Sequence, residues 1–320
     1  MAKIREGLSE REFYRQILNH PDYGKRPRVI PGHIPGHYYS PIADPTEIED
    51  YWRKSAGLSA GELTGIALNM GRMRDIWRKN ADFMKSLKFT ETPGGASRYY
   101  YENEIFHNGD AIILAGMLNH FRPKRVIEIG SGMSSASMLD AAEQIGLTDF
   151  RLTCIEPYAD RLRSLLRADD RKKVDIVEQK VQDVDVKLFA ELEPNDILFI
   201  DSSHVMKAGS DVHFEIFNIL PVLKSGVVIH IHDIQFPFEH PRSWVLDFRW
   251  AWNEIYVMRA FLMHNPIYRV FFFNDYFLRE NPDLAREVAP GSHWPLYPLL
   301  SSSIWIEKRD PKQIALNDIV

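Results

Sequence analysis

From about residue 106 the chain alternates short, continuous apolar runs with segments in which apolar residues recur at helical spacing. The apolar runs are Arg125–Gly130, Arg151–Glu156, Val174–Glu178, Asp196–Asp201 and Val227–Asp233. Runs without polar alternation are typical of strands buried on both faces, as in a parallel sheet covered by helices on both sides. Two later runs, Tyr268–Asn274 and Ser302–Glu307, have no long helix between them, so we predict that they pair antiparallel at the end of the sheet. The pattern therefore predicts a doubly wound α/β fold with a mostly parallel sheet and an antiparallel terminal strand.

Residues 1–100 have a different texture. Prolines recur between residues 27 and 45 among glycines, histidines and tyrosines, and this frequency excludes a long helix, so we predict an extended arm. Helices are predicted on either side of the arm, one beginning at Ser9 and one over Ser59–Leu87. We therefore predict an N-terminal extension and helical cap over residues 1–100, followed by the main domain over residues 101–320.

Composition narrows the classes of function. The 39 Lys and Arg against 44 Asp and Glu give a net charge of −5, which argues against a nucleic-acid-binding protein. Cys154 is the single cysteine, which excludes an internal disulfide and fits a reducing compartment. Apolar stretches fall short of the roughly 18 residues that a membrane span needs, and the first residues lack the apolar segment of a secretory signal. We expect a cytoplasmic protein that acts without a nucleic acid or a membrane; the arm leaves a homodimer open.

A glycine-containing turn joins the first apolar run to a predicted helix. Gly130 and Gly132 permit a tight turn and close approach of a ligand, and Glu156 ends the next run 24 residues after Gly132, where an acid accepts hydrogen bonds from a ribose. A dinucleotide site normally has a third glycine where this chain has Ser135. Glu128 would repel a pyrophosphate but suits an ammonium group. These features favour S-adenosylmethionine over NAD as the ligand.

In the order of these motifs the sequence resembles the class I S-adenosylmethionine-dependent methyltransferases, with their Rossmann-like fold, over about residues 105–275. Within that class it is most similar to bacterial small-molecule O-methyltransferases. The matching motifs are E-x-G-x-G at 128–132, the ribose acid, Gln182-Asp183 and the sequence ILFIDSSH at 197–204. The resemblance implies these cofactor-binding residues: Asn108, Asp110, Glu128, Gly130, Ser131, Gly132, Ser134, Glu156, Gln182, Asp183 and Asp201. For Asn108 and Asp110 two interpretations stay open, closure over the methionine moiety or capping of a helix.

Ionisable residues follow the fourth and fifth runs, where an open α/β sheet places its ligands. Asp201, His204, His232 and Asp233 are the candidate catalytic residues, with His204 favoured as the general base because histidine titrates near neutral pH. The related O-methyltransferases often hold a divalent cation here, which implies Asp201, Asp233 and His232 as metal ligands. An oxygen-rich site favours Mg²⁺, whereas added histidines favour a softer ion such as Mn²⁺, Fe²⁺, Ni²⁺ or Zn²⁺. Ser203 and His232 replace acids of the family pattern, so a metal requirement stays open.

The sequence as a whole predicts methyl transfer from S-adenosylmethionine to a hydroxyl of a small molecule, such as a sugar or a secondary metabolite. Transfer to an amine is the first alternative, because it needs the same cofactor site. An NAD-dependent oxidoreductase and a cofactor-binding protein without chemistry are the others. Aromatic residues from Phe236 to Tyr256 either wall the acceptor site or belong to the core.

Overall fold

The computed structural model describes residues 36–289 and 299–314. The helix predicted from Ser9 and most of the proline-rich stretch lie outside the described residues. Residue contacts divide the chain into two units, Met1–Glu47 and Ile48–Val320, so the boundary predicted near residue 100 falls within the second unit. None of the helices among the described residues is long and apolar enough to cross a membrane.

The second unit contains a seven-stranded sheet. Its strands are β1 (Arg125–Ile129), β2 (Arg151–Ile155), β3 (Val174–Val177), β4 (Ile197–Ile200), β5 (Val228–His232), β6 (Tyr268–Phe273) and β7 (Ser303–Lys308). The order is β3-β2-β1-β4-β5-β7-β6, with β1 to β5 parallel and β7 antiparallel to both of its neighbours. Every residue of β4 and β5 is buried, as the continuous apolar runs predict. The predicted fold class, including the antiparallel terminal pair, is confirmed.

Helices surround the sheet. They are α1 (Pro45–Ala56), α2 (Met70–Ser86), α3 (Asn108–Phe121), α4 (Met133–Ile145), α5 (Asp160–Leu165), α6 (Lys187–Ala190), α7 (211–222), α8 (Glu254–Leu262), α9 (Asn274–Glu280) and α10 (Pro282–Val288). Helix α7 includes one π-helical stretch, Glu215–Ile219.

The helix predicted over Ser59–Leu87 is shorter than expected. It begins at Met70, where the Asn69 side chain accepts a hydrogen bond from the backbone N–H of Arg72 at 2.9 Å. Before it the chain forms only a 3₁₀ turn at Ala60–Glu62 and a loop. Gly65 in that loop has a φ of +73°, a left-handed conformation that interrupts any helix.

From β1 the chain first adds β2 and β3 on one side and then adds β4 and β5 on the other side. The direction of strand order therefore reverses at β1 and β4, which are neighbours in the sheet. Parallel strands end at the same edge of a sheet, so the carboxyl ends of β1, β2, β4 and β5 lie together. This reversal point is where open α/β sheets bind their ligands.

Candidate active site

A cavity of about 390 Å³ opens at the carboxyl ends of β1, β2 and β4. Of the residues predicted to bind the cofactor, Gly130, Glu156, Gln182 and Asp201 line it. Its wall also includes Pro157, Lys180, Ser202, Lys207 and Asp211. Its size lies within the range of small-molecule sites, roughly 300–1,000 Å³.

Gly130 brings the turn after β1 into direct contact with the end of β4. It has a φ of +79°, and a Cβ at this position would lie 1.8 Å from the carbonyl oxygen of Asp201. Its backbone N–H donates to the carbonyl of Ile155 at 3.0 Å. No side chain fits here, so glycine is required for the cavity to have its shape.

Glu156 is held at the edge of the cavity by two backbone N–H groups. Its Oε1 accepts from Tyr158 at 2.8 Å, and its Oε2 accepts from Ser131 at 3.3 Å. These bonds fix the carboxylate and leave lone pairs on both oxygens directed to other donors. Two adjacent hydroxyls, as on a ribose, match that arrangement.

Glu128 lies beneath the cavity and does not line it. The carboxylate is fully buried, and it accepts hydrogen bonds from the hydroxyl of Ser134 at 2.6 Å and from that of Ser135. Burial raises the pKa of Glu128 to about 7, although both serine hydroxyls act in the opposite direction. The structure therefore shows Glu128 joining β1 to the start of α4, and its contact with an ammonium group stays a prediction.

The remaining predicted cofactor residues are placed unequally. The Gln182 amide donates to the carbonyl of Gly209 at 3.0 Å within the cavity wall, whereas Asp183 is exposed and outside it. Ser131, Gly132 and Ser134 belong to the turn and the first residues of α4 and do not line this cavity.

Asn108 and Asp110 bind the segment that leads into β7. The Asn108 side chain accepts from the backbone N–H of Leu300 at 3.1 Å. The buried Asp110 carboxylate accepts from the hydroxyls of Ser301 and Ser303, the latter at 2.7 Å. The N-cap of α3 is His107, so neither residue caps the helix. Their side chains tie the first turn of α3 to the sheet.

His204 is the centre of a buried polar cluster beside the cavity. Its Nδ1 lies 2.9 Å from Oε2 of Glu254, and its Nε2 lies 3.5 Å from Asp201 and 3.6 Å from Asp233. Its φ of +59° is rare for a residue with a side chain. Burial lowers the pKa of His204, but the hydrogen bonds to Asp201 and Glu254 outweigh it and raise that pKa well above its ordinary value.

The raised pKa favours an imidazole that carries its proton at neutral pH, and such a ring orients the carboxylates around it more readily than it accepts a proton. The role of His204 as the general base stays a prediction.

The residues at the end of β5 are held in place by β7 and by the segment that leads into it. The Asp233 carboxylate accepts from the Ser302 hydroxyl at 2.7 Å, and His232 Nδ1 lies 3.1 Å from the hydroxyl of Ser303. Burial raises the pKa of Asp233. The pKa of Asp201 is lowered, because the charges of His232 and His204 outweigh the opposite effect of burial.

The predicted metal ligands do not form a metal centre. Among residues 36–289 and 299–314, no three His, Cys, Asp or Glu side chains are arranged to hold an ion. The imidazole of His204 stands between Asp201 and Asp233, where a cation would have to bind, and His232 Nε2 is 3.9 Å from Asp233. The residues therefore do not fit the predicted divalent cation.

Sequence reasoning assigned no contact with His204 to the residues at the start of α8. The backbone carbonyl of His204 accepts from the N–H groups of Asn253 and Glu254, and the Asn253 side chain exchanges two hydrogen bonds with the backbone of Met206, at 2.6 and 3.2 Å. Trp252 packs on the His204 ring, with 4.5 Å between centroids. No sequence motif marks these residues, which lie about 50 positions after His204.

The aromatic segment belongs partly to the core and partly to the surface. Phe238 is fully buried, whereas Trp250 is 37% exposed and stacks on Trp252 at 4.5 Å. Trp244 contacts both tryptophans at 5.1 and 5.4 Å. Trp252, Trp244 and Trp250 thus pack on one another between the His204 ring and the protein surface.

Comparisons with known proteins agree with this geometry. A family model described as a methyltransferase domain matches residues 127–234. An uncharacterized protein of Archaeoglobus fulgidus is 32% identical over 167 residues, which cover 51% of this chain and 75% of the archaeal protein.

Solved structures similar to this chain include the Podospora anserina methyltransferase PaMTH1 bound to S-adenosylhomocysteine. It is 15% identical, with 83% of this chain and 95% of that chain covered and a TM-score of 0.40. Another is the O-methyltransferase TomG from Streptomyces achromogenes in complex with S-adenosylmethionine. It is 12% identical, with 77% and 92% covered and a TM-score of 0.41.

Proposed function

Because this chain belongs to the class I S-adenosylmethionine-dependent methyltransferases, we propose that it methylates a hydroxyl group of a small molecule such as a sugar or a secondary metabolite. The observation that carries the proposal is the junction of two features at one edge of the sheet. The cavity lined by Gly130, Glu156 and Asp201 adjoins the buried cluster of His204 and Asp233.

The cavity residues fit the methyl donor. Glu156 presents two carboxylate oxygens to the ribose hydroxyls, and Gln182 lies in the wall where the resemblance places the adenine. The turn at Gly130 admits the ligand next to the backbone, since no side chain intervenes. When bound, S-adenosylmethionine supplies an electrophilic methyl group.

The carboxylates beside the cavity handle the proton of the acceptor hydroxyl. When the acceptor oxygen takes the methyl group, the carbon–sulfur bond would break and S-adenosylhomocysteine would be the product. The hydroxyl proton passes to Asp233, whose pKa is raised by burial and is therefore closer to neutral than that of Asp201. The His204 ring orients both carboxylates. In this scheme no step requires a metal ion, and activity is expected to persist in EDTA.

The first experiment is calorimetric titration of the purified protein with S-adenosylhomocysteine, with NAD⁺ as the paired ligand. We expect micromolar binding of the former that is lost in Glu156→Ala. Glu178→Ala is the matched control, because Glu178 is an exposed acid at the end of β3 that pairs with Arg163 outside the cavity. Binding that survives in Glu156→Ala, or binding of NAD⁺ alone, would refute the assignment of the cofactor site.

A second experiment addresses the acceptor. Hydroxyl and amine compounds are screened for transfer of a labelled methyl group, with Asp233→Asn as the test variant. We expect turnover on a hydroxyl acceptor that falls in the variant while S-adenosylhomocysteine binding is retained. Turnover on amines alone would replace O-methylation by N-methylation.

A further inference from the structure

A second cavity, of about 640 Å³, lies at the opposite edge of the sheet. It is lined by α2, the end of α3, β6 and β7. Glu307 in its wall pairs with Val228 at the start of β5, whereas Ser303 pairs with His232 at the end of β5 beside the active site. Four residues along a strand span about 13 Å. The second cavity is therefore separate from the site of methyl transfer.

Cations outnumber acids in the wall of this cavity. Arg72, Lys79 and Arg269 face it, against the carboxylates Asp75 and Glu307. Glu307 pairs with Arg269. Arg72, Lys79 and Asp75 therefore have no ion-pair partner among the residues that the structure describes.

Arg72 is the cation best placed to bind a ligand. It is half-buried on the first turn of α2, and among the described residues its guanidinium makes no hydrogen bond or ion pair. Burial lowers the pKa of Arg72, and the positive charges of Arg269 and Arg309 act in the same direction, whereas the charge of Glu307 opposes them. The Nε of Arg269 is also buried without a hydrogen-bond partner in the described chain.

The floor of the cavity is apolar and largely aromatic. Phe121 and Phe271 lie 4.9 Å apart between ring centroids, and His120 lies 4.9 Å from Phe121. Burial and the charge of Lys79 lower the pKa of His120, so its ring is neutral at neutral pH. Ile76 completes this floor. An aromatic floor below a cationic rim matches a ligand with a flat apolar body and an anionic group.

We propose that this cavity binds a small aromatic anion, a ring that carries a phosphate or a carboxylate group. Arg72 contacts the anionic group, and the ring lies on Phe121 and Phe271. The cavity shares no lining residue with the cavity at the ends of β1, β2 and β4. The inference does not depend on the proposed function.

The test is calorimetric titration with phenyl phosphate and with benzoate, at an ionic strength of about 0.15 M, where exposed charges are largely screened. Benzyl alcohol and inorganic phosphate are the neutral and the non-aromatic comparison compounds. We expect phenyl phosphate or benzoate to bind more tightly than both, and the better of the two identifies the anionic group.

Variants assign the binding to this cavity. Arg72→Gln is expected to weaken binding of the aromatic anion at least tenfold, since it removes a charge-assisted contact. Arg78→Gln is the matched control, because Arg78 is exposed on the same helix and does not line the cavity. Binding of S-adenosylhomocysteine should be equal in wild type and both variants.

Four results would overturn the proposal. Neither aromatic anion binds the wild type; Arg72→Gln binds as tightly as the wild type; or inorganic phosphate binds as tightly as phenyl phosphate. An equal loss in Arg78→Gln would likewise overturn it, because it would show that the net charge of α2 matters and the cavity does not.

Discussion

Replacement of Glu254 by glutamine tests whether this residue keeps His204 charged. Glu254 is 2% exposed and accepts a hydrogen bond from Nδ1–H of His204 at 2.9 Å. Glutamine has the same shape and an oxygen that still accepts this bond, but it carries no charge. The variant therefore leaves the ring beside two carboxylates, Asp201 and Asp233, where the wild type has three.

The magnitude follows from the kind of bond. A hydrogen bond to a charged group contributes about 1.5–3 kcal/mol. In the wild type both partners are charged, whereas in the variant only the imidazolium is, so the bond moves from the upper toward the lower end of this range. The free energy of unfolding should thus fall by about 1–1.5 kcal/mol at neutral pH. If the His204 ring positions Asp233, the same loss in the transition state lowers kcat roughly five- to tenfold.

The pH dependence has a definite sign. The pKa of His204 is raised in the folded protein, so its stabilising contribution is complete below the unfolded value of about 6.5 and is lost as the pH rises through the folded value. In Glu254→Gln one of the raising groups is absent. The loss of stability begins near the unfolded value in both proteins, but in the variant it should end at a lower pH and be smaller in total.

The assay is NMR of the histidine rings against pH, because it needs no acceptor. The chain has twelve histidines, and His204→Gln identifies the signal of residue 204. Urea unfolding at pH 6 and pH 9 measures the stability. Glu239→Gln is the control, since that buried carboxylate bonds to Tyr256 and not to His204. If the His204 signal titrates at the same pH in wild type and Glu254→Gln, the reasoning is refuted.

Three further substitutions test other parts of the structure. Gly130→Ala places a Cβ 1.8 Å from the Asp201 carbonyl oxygen and should destabilise the fold by several kcal/mol in thermal unfolding. The control is Gly146→Ala, which has a similar φ and nothing within 4 Å of the added Cβ, and which should cost about 1 kcal/mol. Equal effects of the two substitutions would contradict the packing argument. Burial raises the pKa of Glu128 from 4.5 to about 7, so the free energy of unfolding of the wild type should fall by about 3 kcal/mol between pH 4.5 and 8. Glu128→Gln should abolish this pH dependence. Parallel pH profiles of the two proteins in urea unfolding would exclude the explanation. Arg98→Met leaves the buried Asp140 and Asp170 without their cation and should reduce the free energy of unfolding in urea by about 3–5 kcal/mol. The control Arg125→Met removes an exposed ion pair with Glu191 and should reduce it by less than about 1 kcal/mol. Similar values for the two would show that the buried network contributes little.

The fold could be predicted because its signals are local. Most of the parallel strands are largely apolar, although β3 includes the exposed Asp175. The sequence contains no long helical pattern between the last two runs, and this indicated the antiparallel pairing of β6 and β7. The helix predicted from Ser59 failed at Gly65. A Cβ there would lie 2.8 Å from the ring of His264, a residue from a distant segment, so only tertiary contact explains the loop.

The candidate site, like the fold, contains residues that the sequence predicts and contacts that it does not. Gly130, Glu156 and Asp201 belong to motifs with a recognisable order, and all three line the cavity. The charge of His204 depends on carboxylates from the end of β4, the end of β5 and the start of α8. Glu254 resembles any acid in the first turn of a helix, so the sequence contains no sign that it contacts His204.

The position of β7 between β5 and β6 has a consequence for the order in which the protein folds. Each of the strands β2 to β5 pairs with a strand that precedes it in the chain. By contrast, β6 cannot join the sheet until β7, which follows it in the chain, lies between it and β5. The Ser302 hydroxyl that fixes Asp233 arrives with β7, 69 residues after the carboxylate. The cofactor cavity is formed by the ends of β1, β2 and β4 without β7. During refolding we therefore expect S-adenosylhomocysteine binding to return before methyl transfer, because the cavity is complete while Asp233 still lacks its Ser302 partner.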